Sequence, residues 1–348
     1  MKALIKNARE QKNLKIREVA QALGIDQALI SKFENGNRKP TKEQITKLAN
    51  FLQIDYETLM VAWLKERILY EIGDDDFAVK AMNMVCEERE NLYDVSSKYS
   101  KNLTILLDEI DILKSKLDQF RLFDSYRIAQ ALELEYTFES NRIEGNTLTL
   151  RETDLVINEG LTIPGKSMRE HLEAINHQEA IAYIKHLIKK NTNLNEREVL
   201  SIHNLILRGI HPEDAGRYRK VQVMIKGSSF MPPQPFIVAK EMEDFYIWYE
   251  TNKNKLHPII LAAEMHERLV TIHPFIDGNG RTSRLVMNLI LLQHGYVIAN
   301  IKGDYNSRMQ YYEALETAQT KNNKNDFLLF VAQIQKQSLE RYLQIIGQ

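Results

Sequence analysis

The chain has 348 residues, of which about 44% are apolar, and its formal charges sum to -1. That length and composition favour two or three globular domains with buried cores. The single cysteine, Cys86, excludes a disulfide framework and a cysteine-based metal cluster. The N-terminus lacks the apolar region of a signal peptide, and the longest apolar run, LVMNLILL, is too short to span a bilayer. We therefore expect a cytoplasmic protein with no membrane partner.

Positive charge is concentrated at the N-terminal end of the chain. Residues 1–55 contain eleven Lys and Arg against six Asp and Glu, a net charge of +5, which leaves -6 for the remainder. A basic segment on an otherwise acidic chain indicates an anionic partner at that end. A solvated surface alone would also account for the charge.

Hydrophobic periodicity predicts a mainly α-helical chain in three parts. Residues 1–66 are predicted as short helices with tight turns, 67–118 as an acidic helical connector, and 119–348 as long amphipathic helices. The connector is a candidate spacer or dimerisation element, so a homodimer is one expected assembly. Residues 218–238 break the pattern, because apolar residues alternate before the segments KGSS and PP. This alternation predicts a small β-hairpin followed by an extended strand.

Residues 16–40 have the pattern of two helices joined by a tight turn. Apolar residues at helical spacing form one face of the first helix, Gly24 ends it, and Asp26 is a suitable N-cap for the second. A helix-turn-helix places the start of its second helix in the DNA major groove, where Gln and Lys contact base edges. The residues predicted to face DNA are Gln27, Ala28, Ser31 and Lys32, with Arg38 against the phosphate backbone.

The stretch from about residue 3 to 58 resembles the Cro/C1-type (XRE) family of bacterial DNA-binding domains. The resemblance is carried by the segments REVAQALGI, ISKFENGNRKP and KLANFLQI. It implies a five-helix domain within residues 1–66 and sequence-specific DNA binding. One domain makes few phosphate contacts, so useful affinity would need a dimer. The alternative is a small helical bundle with no role in DNA binding.

The segment HPFIDGNGRTSR, residues 273–284, is predicted as a loop between two helices. Gly278 and Gly280 allow successive N–H groups to point one way, and together with the start of the next helix they form an anion-binding nest. Arg281 and Arg284 share a face of that helix, and planar guanidinium groups suit phosphate oxygens.

Three further side chains complete this predicted polyphosphate site. Asn279 adds an amide donor, and Asp277 is the kind of hard oxygen ligand that Mg²⁺ takes beside phosphates. His273 titrates near neutrality and can accept a hydroxyl proton as a general base. The segment is not a Walker A loop, because no Gly-Lys-Ser/Thr follows. It is not a dinucleotide fingerprint either, because Ser283 stands at the third glycine position.

The same segment resembles the Fic family signature, His-Pro-Phe-x-Asp/Glu-Gly-Asn-Gly-Arg-x-x-Arg, with every fixed position present. The resemblance extends over about residues 119–340 and includes SNRIEGNTLTLRET, EAINHQEA and RMQYYEAL. It implies an all-α Fic core within residues 119–348, with residues 218–238 as its β-hairpin flap. It also implies transfer of AMP from ATP to a protein hydroxyl.

By that resemblance, each residue of the signature has a role. His273 would deprotonate a Ser, Thr or Tyr of a target protein or of the protein itself, and Asp277 would hold Mg²⁺. The nucleotide-binding residues would be Gly278, Asn279, Gly280, Arg281 for the β-phosphate, Thr282, Arg284 for the γ-phosphate, and Tyr311 in the adenine pocket. The alternative for Tyr311 is a core position, because aromatic residues at helical spacing usually pack inside.

The segment SNRIEGN, residues 140–146, resembles the inhibitory motif of the same family through Ser140, Glu144 and Gly145. The resemblance implies an inhibitory helix around residues 137–146, whose Glu144 carboxylate would pair with Arg284 where the γ-phosphate binds. The alternative is a capping serine and a surface glutamate on an ordinary helix.

Three hypotheses follow for the whole chain. The first is an ATP-dependent protein adenylyltransferase that is inhibited by Glu144 and carries a DNA-binding domain. The second is a transcriptional regulator whose Fic core only senses nucleotide, and the intact His273 and Asp277 argue against it. The third keeps the Fic fold but removes AMP or transfers another phosphate-containing group.

Overall fold

The computed structural model describes residues 1–72, 77, 80, 99–120, 126–225, 227–321 and 323–347. Within these residues the chain forms fifteen α-helices and no β-strand, so the mainly α-helical fold class is confirmed. The chain divides into two compact units, Met1–Tyr93 and Asp94–Gln348. Cys86 and most of the predicted connector between 73 and 98 lie outside the described residues. No described helix is both long enough and apolar enough to cross a bilayer.

The first unit is a small helical domain with its own apolar core. The core brings together Val19, Ile30, Phe33 and Leu48, none of them more than 1% exposed. The helices that supply it are α1 (Lys2–Gln11), α2 (Ile16–Leu23), α3 (Gln27–Asn35), α4 (Lys42–Leu52) and α5 (Tyr56–Ile72).

The turn between α2 and α3 forms as its sequence predicts. Gly24 follows the last residue of α2 in the left-handed region, and the Asp26 carboxylate accepts a hydrogen bond of 2.7 Å from the amide of Ala28. Arg9 of α1 then ties α3 in place, because its guanidinium donates to both oxygens of Glu34 at 2.6 and 2.9 Å. The pair fixes α3 on its inner side and leaves its outer face to solvent.

The second unit contains ten α-helices in its described part. A 3-10 turn at Pro235–Ile237 precedes one of them. The helices are α6 (Lys101–Phe120), α7 (Tyr126–Ile143), α8 (Leu150–Asn158), α9 (Met168–Lys189), α10 (Glu196–Leu207), α11 (Val238–Asn252), α12 (Pro258–Ile272), α13 (Asn279–Gln293), α14 (Tyr305–Lys321) and α15 (Asn325–Ile345).

Helices α12 and α13 form the centre of the second unit. Both are buried on nearly all sides, as a helix with apolar residues around its whole circumference must be. Helices α11, α14 and α15 pack on α12, while α7, α9 and α10 pack on α13. The large polar exceptions are Arg281 and Arg284, which are 2% and 1% exposed in the first turns of α13. Two buried cations so close together need compensating groups, and these groups define the site.

The predicted β-hairpin at residues 218–238 is a loop in the described part of that segment. The amide of Ser228 donates to the carbonyl of Ile225 at 3.2 Å, as in a turn, but no ladder of backbone hydrogen bonds joins the two arms. Pro232 and Pro233 explain part of the difference, because proline has no N–H to donate to a ladder.

Side chains hold this loop together in place of a backbone ladder. Gln222 Nε2 donates to the carbonyl of Pro232 at 3.0 Å, and Arg219 Nη2 donates to the carbonyl of Pro233 at 2.5 Å. The turn is fastened to α14, where Glu316 accepts from the amide and the hydroxyl of Ser229 at 3.0 and 2.7 Å. The alternating apolar residues thus mark an extended arm without a pairing partner.

Candidate active site

His273 lies directly after α12 and has a left-handed backbone conformation, with φ of +49°. Its Nδ1 is 3.1 Å from the carbonyl oxygen of Val270. A carbonyl can only accept, so Nδ1 carries the proton and Nε2 keeps its lone pair. Burial lowers the pKa of His273 below its ordinary value, which leaves the ring neutral near pH 7. A neutral imidazole with a free Nε2 is what a general base requires.

Arg219, which was not among the predicted site residues, holds the backbone around His273. Its Nε donates to the carbonyl of His273 at 2.8 Å, and its amide donates to the carbonyl of Pro274 at 2.8 Å. The side chain is 3% exposed and also reaches the loop at 218–238. It therefore links the candidate base to that loop.

The loop after His273 is fixed by Asn279 and His203. The side-chain amide of Asn279 exchanges two hydrogen bonds with the backbone of Phe275, at 2.9 and 3.0 Å. His203 stacks on the Phe275 ring at 3.6 Å between centroids, and its Nε2 lies 2.9 Å from the carbonyl of Asp277. The Asn279 side chain, predicted as a phosphate donor, is thus engaged in shaping the loop, while its backbone N–H lies at the helix start.

Two glycines bring the backbone close to any anion at the start of α13. Gly278 is the N-cap in the left-handed region, and a Cβ there would lie 3.3 Å from both His203 and Ile206. A Cβ on Gly280 would collide with Glu144 Oε1 and lie 3.1 Å from Arg284 Nη1. The first N–H groups of a helix have no intrahelical partner, so this turn has the geometry to accept an anion.

Arg284 is a buried cation held by the end of α7. Its Nε donates to Ser140 Oγ at 3.0 Å, and its Nη2 donates to the carbonyl of Ser140 at 2.9 Å. Nη2 also forms a 2.7 Å ion pair with Glu144 Oε1. Nη1 is buried and makes no hydrogen bond among the described residues. The predicted pairing of Glu144 with Arg284 is therefore present in the structure.

The Glu144 carboxylate lies over Gly280, at the anion site itself. Its side chain is 33% exposed, whereas that of Arg284 is 1% exposed. A buried polar loop behind it sets its position: Asn146 Nδ2 donates to Glu173 Oε2 at 2.9 Å, and Asn146 Oδ1 accepts from the amide of Leu148 at 3.0 Å. The carboxylate thus neutralises the arginine on the side from which a ligand would arrive.

Asp277 is surrounded by cations on the opposite side of the nest. Oδ1 accepts from the amide of Gly278 at 2.6 Å and lies 3.3 Å from Arg281 Nη2, and Oδ2 accepts from Arg169 at 2.9 Å. Burial acts to raise the pKa of Asp277, but Arg281, the Gly278 amide and Arg169 together hold it below its ordinary value. The carboxylate is therefore ionised, and both of its oxygens are held by protein donors.

Arg281 is compensated by two carboxylates, those of Asp277 and Glu173, at 3.3 and 3.4 Å. Its Nε makes no hydrogen bond in the described residues. Thr282, also predicted to bind nucleotide, is 0% exposed and its hydroxyl lacks a partner in the same part of the chain. Arg169 and Glu173 belong to the site but were not predicted, because a single Arg and Glu on a helix give no sequence signal.

Tyr311 lies beneath Arg284 and has 2% of its surface exposed. Its hydroxyl is 2.9 Å from Nε2 of the buried His266, and its ring packs against Phe327. Tyr311 therefore offers no open face to an adenine in this structure. Its neighbour Tyr312 is 41% exposed, and its hydroxyl donates to the carbonyl of Ile143 beside Glu144 at 3.1 Å. Tyr312 is the aromatic residue at the surface of this region.

The residues predicted to face DNA lie together on α3 and in the turn after it. Glu34 of the same helix points inward to Arg9, so the outward side of α3 is well defined. Ser31 is partly exposed and accepts a long 3.4 Å hydrogen bond from Asn35. The exposed members of the set are Gln27, Ala28, Lys32 and Arg38.

Comparisons with known proteins match two separate stretches of the chain. Residues 193–291 match the Fic/DOC family, and residues 5–59 match a helix-turn-helix family. The protein adenylyltransferase Fic of Nematostella vectensis is 37% identical over 242 residues, which are 68% of this chain and 56% of that protein. The chain thus spans about half the length of the curated relatives it matches.

Two solved structures share the fold. Residues 134–508 of Fic-1 from Caenorhabditis elegans superpose with a TM-score of 0.64 at 24% identity, covering 99% of this chain and 97% of that one. A Fic family protein from Desulfovibrio desulfuricans gives a TM-score of 0.62 at 25% identity, covering 72% of this chain and 76% of that one. The chain therefore carries a Fic domain preceded by a Cro/C1-type helix-turn-helix domain.

Proposed function

We propose that this protein is an adenylyltransferase that moves AMP from ATP to a Ser, Thr or Tyr hydroxyl of a target protein or of itself, and that Glu144 keeps it inactive. One observation carries the proposal. His273, which carries its proton on Nδ1 and makes no hydrogen bond through Nε2 in the described part of the chain, lies in the loop before a helix whose anion-binding first turn and buried Arg284 are neutralised by the protein's own carboxylate. That arrangement suits a transferase whose polyphosphate site is blocked from within.

His273 supplies the base in this reaction. Nε2 takes the proton from the attacking hydroxyl as its oxygen forms a bond to the α-phosphorus, and the bond from that phosphorus to the bridging oxygen of pyrophosphate breaks. Pyrophosphate leaves with the bonding electron pair. The ring needs no prior deprotonation, because burial already keeps its pKa low. The hydrogen bond from Nδ1 to Val270 keeps Nε2 aimed at the site.

The start of α13 would bind the phosphates. The free N–H groups of its first turn and Arg281 face the middle of the polyphosphate, and Arg284 faces its end. Nη1 of Arg284 and Nε of Arg281, which have no acceptor among the described residues, are donors for phosphate oxygens. These groups are already positioned, so little reorganisation is needed when charge develops on the leaving group.

Asp277 is the residue that would hold Mg²⁺. Among the described residues, no cluster of three or more His, Cys, Asp or Glu side chains could enclose a metal. A single ionised carboxylate nevertheless fits Mg²⁺, which commonly takes one or two carboxylates and completes its shell with phosphates and water. The ion would neutralise charge on the leaving pyrophosphate. Arg169 would have to leave Asp277 Oδ2 for that oxygen to reach the metal.

A protein target is supported by the loop at 218–238. Arg219 joins this loop to the backbone of His273. The loop carries apolar side chains that face solvent: Phe236 is 83% exposed, Met224 78% and Met231 57%. Several exposed large apolar residues beside a reactive group are typical of an interaction surface. We infer that they contact the segment that bears the target hydroxyl.

DNA binding by the first unit is the second part of the proposal. It rests on the exposed row Gln27, Ala28, Lys32 and Arg38 and on the surplus of positive charge over residues 1–55. In this view the DNA-binding domain places the enzyme at particular sites on DNA, or lets the protein repress its own gene. A gel shift with its upstream DNA at rising salt concentration tests this, and an absence of binding at low salt would refute it.

Intact-mass spectrometry of the full chain after incubation with ATP and Mg²⁺ tests the transferase activity. The wild type, Glu144→Gly and the double variant Glu144→Gly/His273→Ala are compared. We expect an added AMP mass on Glu144→Gly, little on the wild type and none on the double variant. The control is Glu159→Gly, a solvent-exposed glutamate that follows α8, which should behave as the wild type does.

The same experiment separates the alternatives. Added phosphate instead of AMP would indicate phosphoryl transfer. Loss of AMP from a pre-modified target, seen with the wild type but not with Glu144→Gly, would indicate the reverse reaction. An absence of any mass change on Glu144→Gly and on supplied target proteins would leave the nucleotide-sensing regulator as the better account.

A further inference from the structure

A cavity of about 370 Å³ lies in the second unit against the first half of α7. Its wall includes Ala129 and Leu132 of α7, Ile188 of α9, Ile298 from the segment after α13, and Ile334 of α15. The volume lies within the range of about 300–1,000 Å³ that is usual for small-molecule pockets. None of the residues of the candidate active site lines it, so it is a second site.

The cavity combines an aliphatic wall with a positively charged rim. Four cations line it, Lys185, Lys189, Lys302 and Arg341, together with the carboxylate of Glu133, while Glu135 and Glu139 reach two of these cations from outside the lining. Lys189 is exposed and forms no ion pair within the described residues. A pocket with an apolar interior and cations at its edge selects a molecule with an apolar body and an anionic end.

The rim cations also hold α7, the helix that ends in the inhibitory segment. Lys185 pairs with Glu133 at 2.6 Å, and Lys302 lies 3.8 Å from Glu135 and 3.6 Å from Glu139. Arg341 donates to Glu135 as well. Ser140 and Glu144, which contact Arg284, follow on the same helix and its C-terminal turn. The cavity and the inhibitory contact thus share one helix.

We propose that this cavity binds an aliphatic carboxylate of the fatty-acid type. Its hydrocarbon chain occupies the space between α7, α9 and α15, and its carboxylate lies at the lysine and arginine rim. A cationic amphiphile with the same chain is excluded by the charge of the rim. A purely apolar molecule lacks the ionic contacts.

Binding has a consequence for the active site, which rests on the proposed function. The ligand carboxylate competes with Glu133, Glu135 and Glu139 for the cations that hold α7. Loss of those ion pairs loosens α7 and lowers the occupancy of the Glu144–Arg284 contact. The ligand therefore activates AMP transfer by shifting the protein away from the inhibited state, in proportion to its preference for the released one.

Native mass spectrometry of the full chain with dodecanoate, below its micellar concentration, tests the site. We expect one dodecanoate per chain in the wild type and no equivalent binding of dodecyltrimethylammonium. Ala129→Trp fills the cavity and should abolish binding. Lys189→Glu reverses the charge of an exposed rim lysine without touching the core and should weaken binding. Equal binding by wild type and Ala129→Trp, or equal binding of the cationic amphiphile, would overturn the site.

Transfer assays on the same samples test the coupling separately. Dodecanoate should raise AMP transfer by the wild type and leave Glu144→Gly unchanged, because that variant is already released. Bound dodecanoate without activation of the wild type, while Glu144→Gly transfers AMP, would overturn the coupling. If Glu144→Gly transfers nothing, the proposed function fails, and the binding measurements still decide whether the cavity takes the carboxylate.

Discussion

Each unit of this protein contains an arginine and a glutamate that join two distant helical segments. The two pairs differ in the exposure of the carboxylate and in the number of arginine nitrogens that have acceptors. In the first unit, Arg9 and Glu34 have side chains 12% and 4% exposed and share two hydrogen bonds. In the second, Arg284 is 1% exposed, but Glu144 is 33% exposed and contributes one oxygen. The first carboxylate is enclosed, and the second is reachable by solvent.

The guanidinium groups differ in the same way. The nitrogens of Arg9 all have acceptors, since Nη1 donates to the carbonyl of Leu14 at 2.8 Å while Nε and Nη2 bind Glu34. Arg284 keeps Nη1 without an acceptor in the described part of the chain. A saturated, enclosed pair is suited to structure, because removing either partner strands a buried charge. An unsaturated pair with an exposed carboxylate is suited to exchange with another anion.

The largest expected effect concerns His273, the proposed base, once the Glu144–Arg284 pair has been removed. In the Glu144→Gly background, His273→Ala should reduce the rate of AMP transfer by about 10²- to 10⁴-fold, the usual contribution of a general base. Measurement of the initial rate by AMP incorporation checks this. A matched His294→Ala change, at the end of α13, should leave the rate unaltered. A comparable loss in both variants would mean that the effect is structural.

The next effect tests whether the second pair is replaceable. Glu144→Gln removes the charge but keeps the shape, and should raise the transfer rate about 10- to 100-fold, since a hydrogen bond to a charged group is worth about 1.5–3 kcal/mol. Glu34→Gln should leave the transfer rate where it was. A higher transfer rate for Glu34→Gln, or an unchanged rate for Glu144→Gln, would show that the two pairs do not differ in the proposed way.

Stability should respond in the opposite order. Glu34→Gln leaves the partly buried Arg9 without its carboxylate partner and should cost the first unit about 3 kcal/mol. Glu144→Gln should cost the second unit less, about 1.5 kcal/mol, the lower end of what a hydrogen bond to a charged group contributes, because water can reach the exposed side of that pair. Hydrogen exchange followed separately in each unit measures both. Equal losses in the two units would show that the Glu144 pair is also structural.

A change on the outer face of α3 should weaken DNA binding without destabilising the first unit. Lys32→Ala should leave the first unit folded, weaken DNA binding uniformly across sequences and reduce the slope of affinity against salt by about 1. Lys240→Ala in the second unit, at a lysine that is also exposed, serves as the control. An unchanged salt slope for Lys32→Ala would place this lysine away from the phosphates.

The smallest effect is on the pH profile. Because burial lowers the pKa of His273, the neutral base persists to lower pH than an ordinary histidine would allow. The transfer rate of Glu144→Gly should therefore fall only as pH drops below the usual histidine value of about 6.5. A rate–pH profile checks this. A midpoint above that value would contradict the burial of the base.

The sequence predicted those parts of the site that a short motif contains. His273, Asp277 and the two arginines lie within twelve residues, so their spacing alone indicates phosphate chemistry. Arg219 and Arg169 reach the site from other segments as single residues, and nothing in a local pattern marks them. The position of Tyr311 also depends on tertiary packing, because helical spacing does not tell which of two adjacent tyrosines faces the core.

The loop at 218–238 shows where a local sequence pattern predicted the wrong structure. Its alternating apolar residues have the period of a strand, but a strand also needs a partner with free N–H and C=O groups. Pro232 and Pro233 have no N–H groups with which to pair, and the apolar residues Val221 and Met224 are exposed at the surface. The helix-turn-helix could be predicted from its sequence, because its turn residue, its N-cap and its apolar spacing all indicate the same two helices.

The central claim is that the Glu144 carboxylate stands where the terminal phosphate of ATP binds. Calorimetric affinities for Mg²⁺-ATP and Mg²⁺-ADP, measured for His273→Ala and Glu144→Gln/His273→Ala to prevent turnover, test it most directly. The claim predicts that removing the charge raises the affinity for ATP and leaves that for ADP unchanged, because only ATP carries the phosphate that meets Arg284. Equal changes for both nucleotides, or none for either, would contradict it.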